Sequence, residues 1–217
     1  MIEEVKTDIV ISEVPTVEAV YEALVLPERD TEHDLDIEVL RRHAQIQIAL
    51  VKIGQQLGFR TWVAQNDKGI TYQNQKLGEM DGVIARLNDV KLLSAFDEAI
   101  RAALMIDCIW FQNSKLMPAV IEIEHSTGVT SGLTRMQGFQ KALPKFPTRW
   151  VIAAPDEDRG KVFNECSRPQ FSSLEAKFFS YSAIEELYSL CERRKVKGVT
   201  EEFLDCFMEP CLPALKN

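Results

Sequence analysis

Two short runs near the middle of the chain, Met105-Ile-Asp-Cys-Ile-Trp-Phe111 and Met117-Pro-Ala-Val-Ile-Glu-Ile-Glu124, are apolar enough to be central strands, yet both carry acids. The turn-forming Gln112-Asn113-Ser114-Lys115 lies between them, so residues 105–124 read as a β-hairpin. Side chains alternate along a strand, which puts Val120, Glu122 and Glu124 on one face and Ile121 and Ile123 on the other. A four-residue turn brings Asp107 beside Glu122. Three carboxyls on adjacent buried strands repel one another and are costly to desolvate, so a cation or a proton has to compensate them. A cluster of oxygen ligands alone suits Mg2+ or Mn2+. On an exposed edge hairpin the same acids would cost nothing, but Trp110, Phe111 and the flanks Leu104-Met-Ile and Ala119-Val-Ile mark these strands as central.

The rest of the chain has room for such a core. Its 217 residues are 46% hydrophobic and 27% charged, the balance of one ordinary globular domain. Charge is placed unevenly. Residues 1–40 hold twelve acids against Lys6 and Arg29, a net of −10 within a chain total of −8, so residues 41–217 net +2. We read 1–40 as an acidic N-terminal segment, either a solvated arm or a cover for a basic cleft or neighbouring subunit, and 41–217 as a single globular domain. An anionic partner therefore stays compatible with the acidic pI of about 5.1. No apolar run reaches membrane-spanning length and the start lacks a signal-peptide pattern, so a cytoplasmic location and no membrane partner are expected. The five cysteines show no metal-ligand spacing and read as reduced packing residues; Cys206 and Cys211 are near enough to pair, which a cytosolic setting disfavours.

Periodicity orders the elements. Leu40, Ile46, Leu50, Ile53 and Leu57 recur at helical spacing and Gly58 ends the helix. Phe59–Ala64 reads as a strand closed by the turn Asn66-Asp67-Lys68-Gly69, and residues 70–93 give no clear element. Ser94 or Asp97 caps a helix to about Leu104, and the hairpin follows. The Gly128–Gly132 loop leads into a helix to about Leu143, Arg149–Ala154 is a strand, and a helix runs from Pro155 to Cys166. Ala176–Ser180 is a short strand, Ser182 caps a helix to Arg194, and Thr200 caps a last one through Phe207. The fold class predicted is α/β, a mixed central sheet flanked by helices.

Four segments in order, Ile106-Asp-Cys-Ile-Trp, Ile121-Glu-Ile-Glu-His-Ser-Thr, Gly132-Leu-Thr-Arg-Met and Val151-Ile-Ala-Ala-Pro-Asp-Glu, resemble type II restriction-endonuclease-like nucleases of the PD-(D/E)xK superfamily. The resemblance implies a restriction-endonuclease-like core in which Asp107 and Glu122 hold Mg2+, with Mn2+ as substitute. Glu124 stands where the family has lysine, an E-x-E variant, and is expected as a general base or further metal ligand. Gln47 and His43, four apart on one face of the first helix, are candidates for positioning water or metal and for contacting a phosphate. Ser126, Thr127, Ser131, Arg135 and Lys141 are the expected DNA contacts, on the hydroxyl- and glycine-rich loop and the helix after it. Lys145, Arg149, Arg159 and Lys161 continue the basic side, and Arg193-Arg-Lys-Val-Lys197 reads either as a further cluster or as a solvated helix end. His125 faces away from the acids, as a hydrogen-bonded structural residue or a catalytic one. The implied activity is Mg2+-dependent hydrolysis of double-stranded DNA by a sequence-specific endonuclease acting as a homodimer, since cutting both strands of a symmetric site needs two centres. A structure-specific defence or repair nuclease, and a non-catalytic DNA-binding or assembly protein on the same scaffold, are the alternatives. No G-x-G-x-x-G or P-loop motif occurs, which sets dinucleotide and nucleotide enzymes aside.

Overall fold

A computed structural model describes residues 34–125, 128–196 and 201–211. Most of the acidic segment, Ser126, Thr127, Lys197 and Thr200 thus lie outside the described residues. The amphipathic run forms α1, Asp34–Leu57. Its end is fixed by Gly58, whose φ of +81° is easily reached only without a Cβ. The Phe59 amide then donates to the Gly54 carbonyl at 2.8 Å and the Gly58 amide to Gln55 at 3.2 Å, which closes the helix and turns the chain into β1, Arg60–Val63. The stretch with no sequence signal holds a small hairpin, β2 (Thr71–Tyr72) and β3 (Gln75–Lys76), and several 3-10 turns.

The next helix, α2, spans Asp97–Ala103, but neither expected residue caps it. Phe96 occupies the cap position, while the Ser94 hydroxyl donates to the Lys91 carbonyl. The hairpin forms as predicted from β4 (Cys108–Gln112) and β5 (Leu116–Ile123), antiparallel with Cys108 opposite Ile121. Strand β4 starts one residue after Asp107. Helix α3, Val129–Lys141, returns the chain to β6, Arg149–Ala154, which pairs in parallel with β5. A 3-10 turn at Asp156–Asp158 precedes α4, Arg159–Cys166, and β7, Lys177–Ser180, adds to the sheet in parallel. Helix α5 spans Tyr181–Arg194 and is capped by Ser180, whose hydroxyl oxygen accepts from the Ala183 amide; Ser182, the expected cap, instead donates to Asp156. Past it, a 3-10 helix at Glu201–Cys206 replaces the expected α-helix and leads to a short antiparallel edge strand, β8, Glu209–Pro210.

Six strands make one mixed sheet in the order β1-β4-β5-β6-β7-β8. Alternation along the strands sorts the core into two layers. Trp110, Ile121, Ile123, Val151 and Phe179 pack with Ile46, Leu50 and Ile53 of α1 and Ile184 and Leu187 of α5. On the other face Ile109, Phe111, Val120, Ile152 and Phe178 pack with Ile100 of α2, Leu133 and Met136 of α3 and Val162 of α4. At about 1.5–3 kcal/mol for each large apolar side chain buried, these two layers are the main favourable contribution to the fold. The expected class, a mixed α/β sheet with helices on both sides, is the one observed, and it is consistent with a restriction-endonuclease-like core. None of the five cysteines forms a disulfide; all but Cys206 are buried. Among the described residues no helix is long and apolar enough to cross a membrane.

Candidate active site

The acids meet where the central hairpin, α1 and α3 converge. One step back from the Cys108–Ile121 pair brings Asp107 level with Glu122, and Glu124 ends the same strand with its amide donating to the Ala153 carbonyl at 2.8 Å. All three carboxyls are buried, at 7%, 0% and 8% exposure. Asp107 is fixed by its Oδ2, which accepts from the Ile123 amide at 2.8 Å. Burial raises the carboxyl of Asp107 above its ordinary range, and His43 and the Ile123 amide only partly offset this. Glu122 is pushed well above the ordinary range by burial, against the pull of Arg135, with the Asp107 charge adding to the rise. For Glu124, burial first and Asp107 second lift the carboxyl to about 7 despite Arg135. These groups hold protons more readily than surface acids do.

Arg135, expected on the DNA, projects from α3 into the cluster. Its Nε and Nη2 donate to the two oxygens of Glu122 at 3.0 and 2.6 Å, and Nη2 also donates to Glu124 Oε1 at 3.0 Å. One guanidinium thus spans two acids and is itself held more firmly protonated by them. Helix α3 comes this close because it begins with small residues: a Cβ on Gly128 would lie 1.7 Å from Glu124 Oε2, and one on Gly132 would lie 2.6 Å from Glu124 Oε1. Gly128 and Gly132, from the glycine-rich segment expected to contact DNA, make room for a carboxylate.

On the α1 side lies a second set of polar groups. Gln47 is fully buried, and its Nε2 donates to the Asp107 carbonyl at 2.9 Å and to Asp67 Oδ2 at 3.1 Å. His43 Nε2 lies 3.8 Å from Asp67 Oδ2 and 3.9 Å from Asp107 Oδ1. Burial works against a proton on His43, but Asp67 and the charges of Asp107 and Glu124 outweigh it and raise the imidazole above its ordinary value. Asp67 moves the other way: burial would raise it, while His43 and Gln47 together hold it below the ordinary carboxylate range. Sequence reading missed Asp67, since the acid in Asn66-Asp67-Lys68-Gly69 looks like any turn residue. The turn is pinned in place by Lys68, whose Nζ donates to the carbonyls of Ile84 and Ala85 and lies 3.8 Å over the Trp62 ring.

The structure brings Asp107, Glu122, Glu124, Gln47, His43 and Arg135 together. Ser131 is exposed in the first turn of α3, and Lys141 is exposed in its last turn with Nζ donating to Gln137. Ser126 and Thr127 lie outside the described residues. His125 turns away from the acids, its Nε2 3.2 Å from the Tyr181 hydroxyl and the two rings edge to face. Among the other basic candidates Arg149 pairs with Asp205, Arg159 pairs with Glu209, and Arg193 and Arg194 are exposed at the end of α5.

Among the described residues four carboxyl groups, Asp67, Asp107, Glu122 and Glu124, thus face the Arg135 guanidinium and the His43 imidazole, so any charge the acids carry beyond two has to be met by protons or by a cation. Hard oxygen donors of this kind fit a divalent cation.

Comparison with known proteins gives the chain a family. A family described as the type II restriction enzyme NmeDI C-terminal domain matches residues 25–211. A relative from Neisseria meningitidis serogroup C, the type II restriction enzyme NmeDI, is 58% identical over 215 residues, which is 98% of this chain and 61% of that relative's length. No solved structure matches significantly.

Proposed function

This chain belongs to the family of the type II restriction enzyme NmeDI C-terminal domain, and from that premise we propose that it is a Mg2+-dependent endonuclease hydrolysing phosphodiester bonds of double-stranded DNA at a specific sequence, built on a PD-(D/E)xK core with an E-x-E motif. The observation that carries the reading is the buried carboxyl triad of Asp107, Glu122 and Glu124, with Arg135 the one cation bridging its glutamates among the described residues. So undercompensated a cluster is unexpected in a core that serves stability alone.

Asp107 and Glu122 are the residues that would hold Mg2+, with Mn2+ as substitute. The chemistry the ion supplies when bound is polarisation of the scissile phosphate and acidification of water. Glu124, which burial raises above the ordinary carboxylate range, lies next to the metal-holding pair and is placed to accept the proton of the attacking water. Arg135 keeps both glutamates aligned, and its partly exposed side chain is suited to meet a phosphate oxygen. Gln47 bridges the Asp107 carbonyl and Asp67, so it positions rather than reacts; His43 stands beside it as the candidate phosphate contact. Ser131 and Lys141, in the first and last turns of α3, extend the DNA surface, and Ser126 and Thr127, which precede the helix in sequence, are further candidate contacts. We take the working enzyme to be a cytoplasmic homodimer, because two strands need two centres and five unpaired cysteines suit a reducing compartment.

The test is incubation of the chain with plasmid and phage DNA in Mg2+, Mn2+, Ca2+ or EDTA, beside Glu122→Ala. Discrete metal-dependent fragments, lost in the variant, are expected. Binding without cutting under every metal, with the variant indistinguishable, would leave the reading of a non-catalytic DNA-binding scaffold.

A further inference from the structure

On the α1 side of Asp107, one ligand atom each from His43, Asp67 and Asp107 lies within 4.8 Å of the other two. The separations of His43 Nε2 from the carboxylates, 3.8 and 3.9 Å, are too long for direct hydrogen bonds. They are close to the roughly 3–4 Å that separates neighbouring ligand atoms around one cation with bonds of about 2.0–2.2 Å. The three residues come from α1, from the turn after β1 and from the position just before β4, and that turn is itself tied down by Lys68. They therefore form a built arrangement.

A second observation points to a missing ligand. The Gln47 amide nitrogen is fully used by Asp67 and the Asp107 carbonyl, but its Oε1 is buried with no hydrogen-bond partner. An orphaned amide oxygen on a fully buried side chain whose nitrogen bonds Asp67 is an acceptor that a water or an ion beside the cluster would satisfy.

We propose that His43, Asp67 and Asp107 form a mixed imidazole–carboxylate cation site that takes a transition-metal dication such as Mn2+, Co2+ or Zn2+ in preference to Mg2+. Imidazole nitrogen is a ligand these ions favour and Mg2+ does not. The site shares Asp107 with the Asp107–Glu122 pair but uses neither glutamate. It goes beyond the proposed reaction and stands or falls without DNA cleavage.

The experiment is Mn2+ binding to the full chain followed by electron paramagnetic resonance, without DNA. With histidine labelled by ¹⁵N, pulsed spectra of the wild type should show modulation from a nitrogen bound directly to Mn2+, and a tenfold excess of Mg2+ should not remove it. His33, His43 and His125 are the three histidines, so His43→Gln assigns the signal by abolishing it. His43→Gln and Asp67→Asn should each weaken Mn2+ binding at this site by at least about tenfold, while Glu122→Gln retains the nitrogen signal. Bound Mn2+ without nitrogen modulation in the wild type, or modulation that persists in His43→Gln, would overturn the site. So would a nitrogen signal lost in Glu122→Gln but kept in Asp67→Asn.

Discussion

Arg135 on α3 and Arg149 on β6 grip carboxylates in the same paired manner, with opposite results. Arg149 donates to both oxygens of Asp205 at 2.7 and 2.9 Å, and Lys177 adds a contact of 2.5 Å. There two cations serve one acid that stays 38% exposed, and Arg149 followed by Lys177 pulls its carboxyl down to about 2. Arg135 serves two acids at once, one of them without any solvent exposure, and burial pushes both upward. The geometry of an ion pair therefore says little about its purpose. The ratio of charges and the access of water decide it: Asp205 is overcompensated and structural, whereas Glu122 and Glu124 are left short of positive charge in a place where that shortage is expensive.

The sharpest way to break the contrast is Glu122→Gln, which keeps shape and removes charge. Cleavage of DNA should fall by about a thousandfold or more, measured on a plasmid, while DNA binding in Ca2+ by gel shift changes little. Arg135→Met should come next. Removing the guanidinium leaves both glutamates without their partner and should destabilise the fold by about 3 kcal/mol at pH 8, read from urea unfolding. Because burial already favours protons on Glu122 and Glu124, the loss should shrink at pH 5, where the acids can be neutral.

Gly128→Ala tests the packing that holds Glu124. A Cβ 1.7 Å from its carboxylate has to move either the helix or the acid, so turnover should drop about tenfold to a hundredfold at a stability cost near 1 kcal/mol. Gly138→Ala, on the same helix with open space around it, should instead stabilise by roughly 0.5–1 kcal/mol with activity unchanged. The smallest effect belongs to Asp205→Asn, at under about 1 kcal/mol for an exposed pair. The folded carboxyl lies below its unfolded value, so the pair contributes fully above about pH 4 and its contribution fades as pH falls toward 2. The difference in urea midpoint between variant and wild type should fade over the same window.

Where the sequence carried a period, it was legible. Alternation through Val120–Glu124 gave the hairpin, its faces and the pairing of Asp107 with Glu122, and helical spacing with Gly58 gave α1 and its end. Helical spacing put His43 and Gln47 on one face of α1, but their nearness to the acids was legible only through the resemblance to nucleases whose first helix serves the site. Asp67 was not, since its role depends on how a four-residue turn is folded back by Lys68 onto Trp62 and the carbonyls of Ile84 and Ala85. Arg135 was visible as a basic residue on the right helix, but its inward direction depends on the small residues at Gly128 and Gly132 that let α3 approach. Ser180 rather than Ser182 caps α5 because both serines are eligible by type and only the path of β7 chooses between them.

Whether the hairpin acids are held against the stability of the fold in order to bind a divalent cation can be read from thermal unfolding of wild type and Glu122→Gln at pH 8, each in EDTA and in about 10 mM Mg2+. Glu122→Gln should be the more stable protein in EDTA, and Mg2+ should raise the midpoint of the wild type but barely move that of the variant. A wild type that is the more stable in EDTA and indifferent to Mg2+ would contradict that role for the acids.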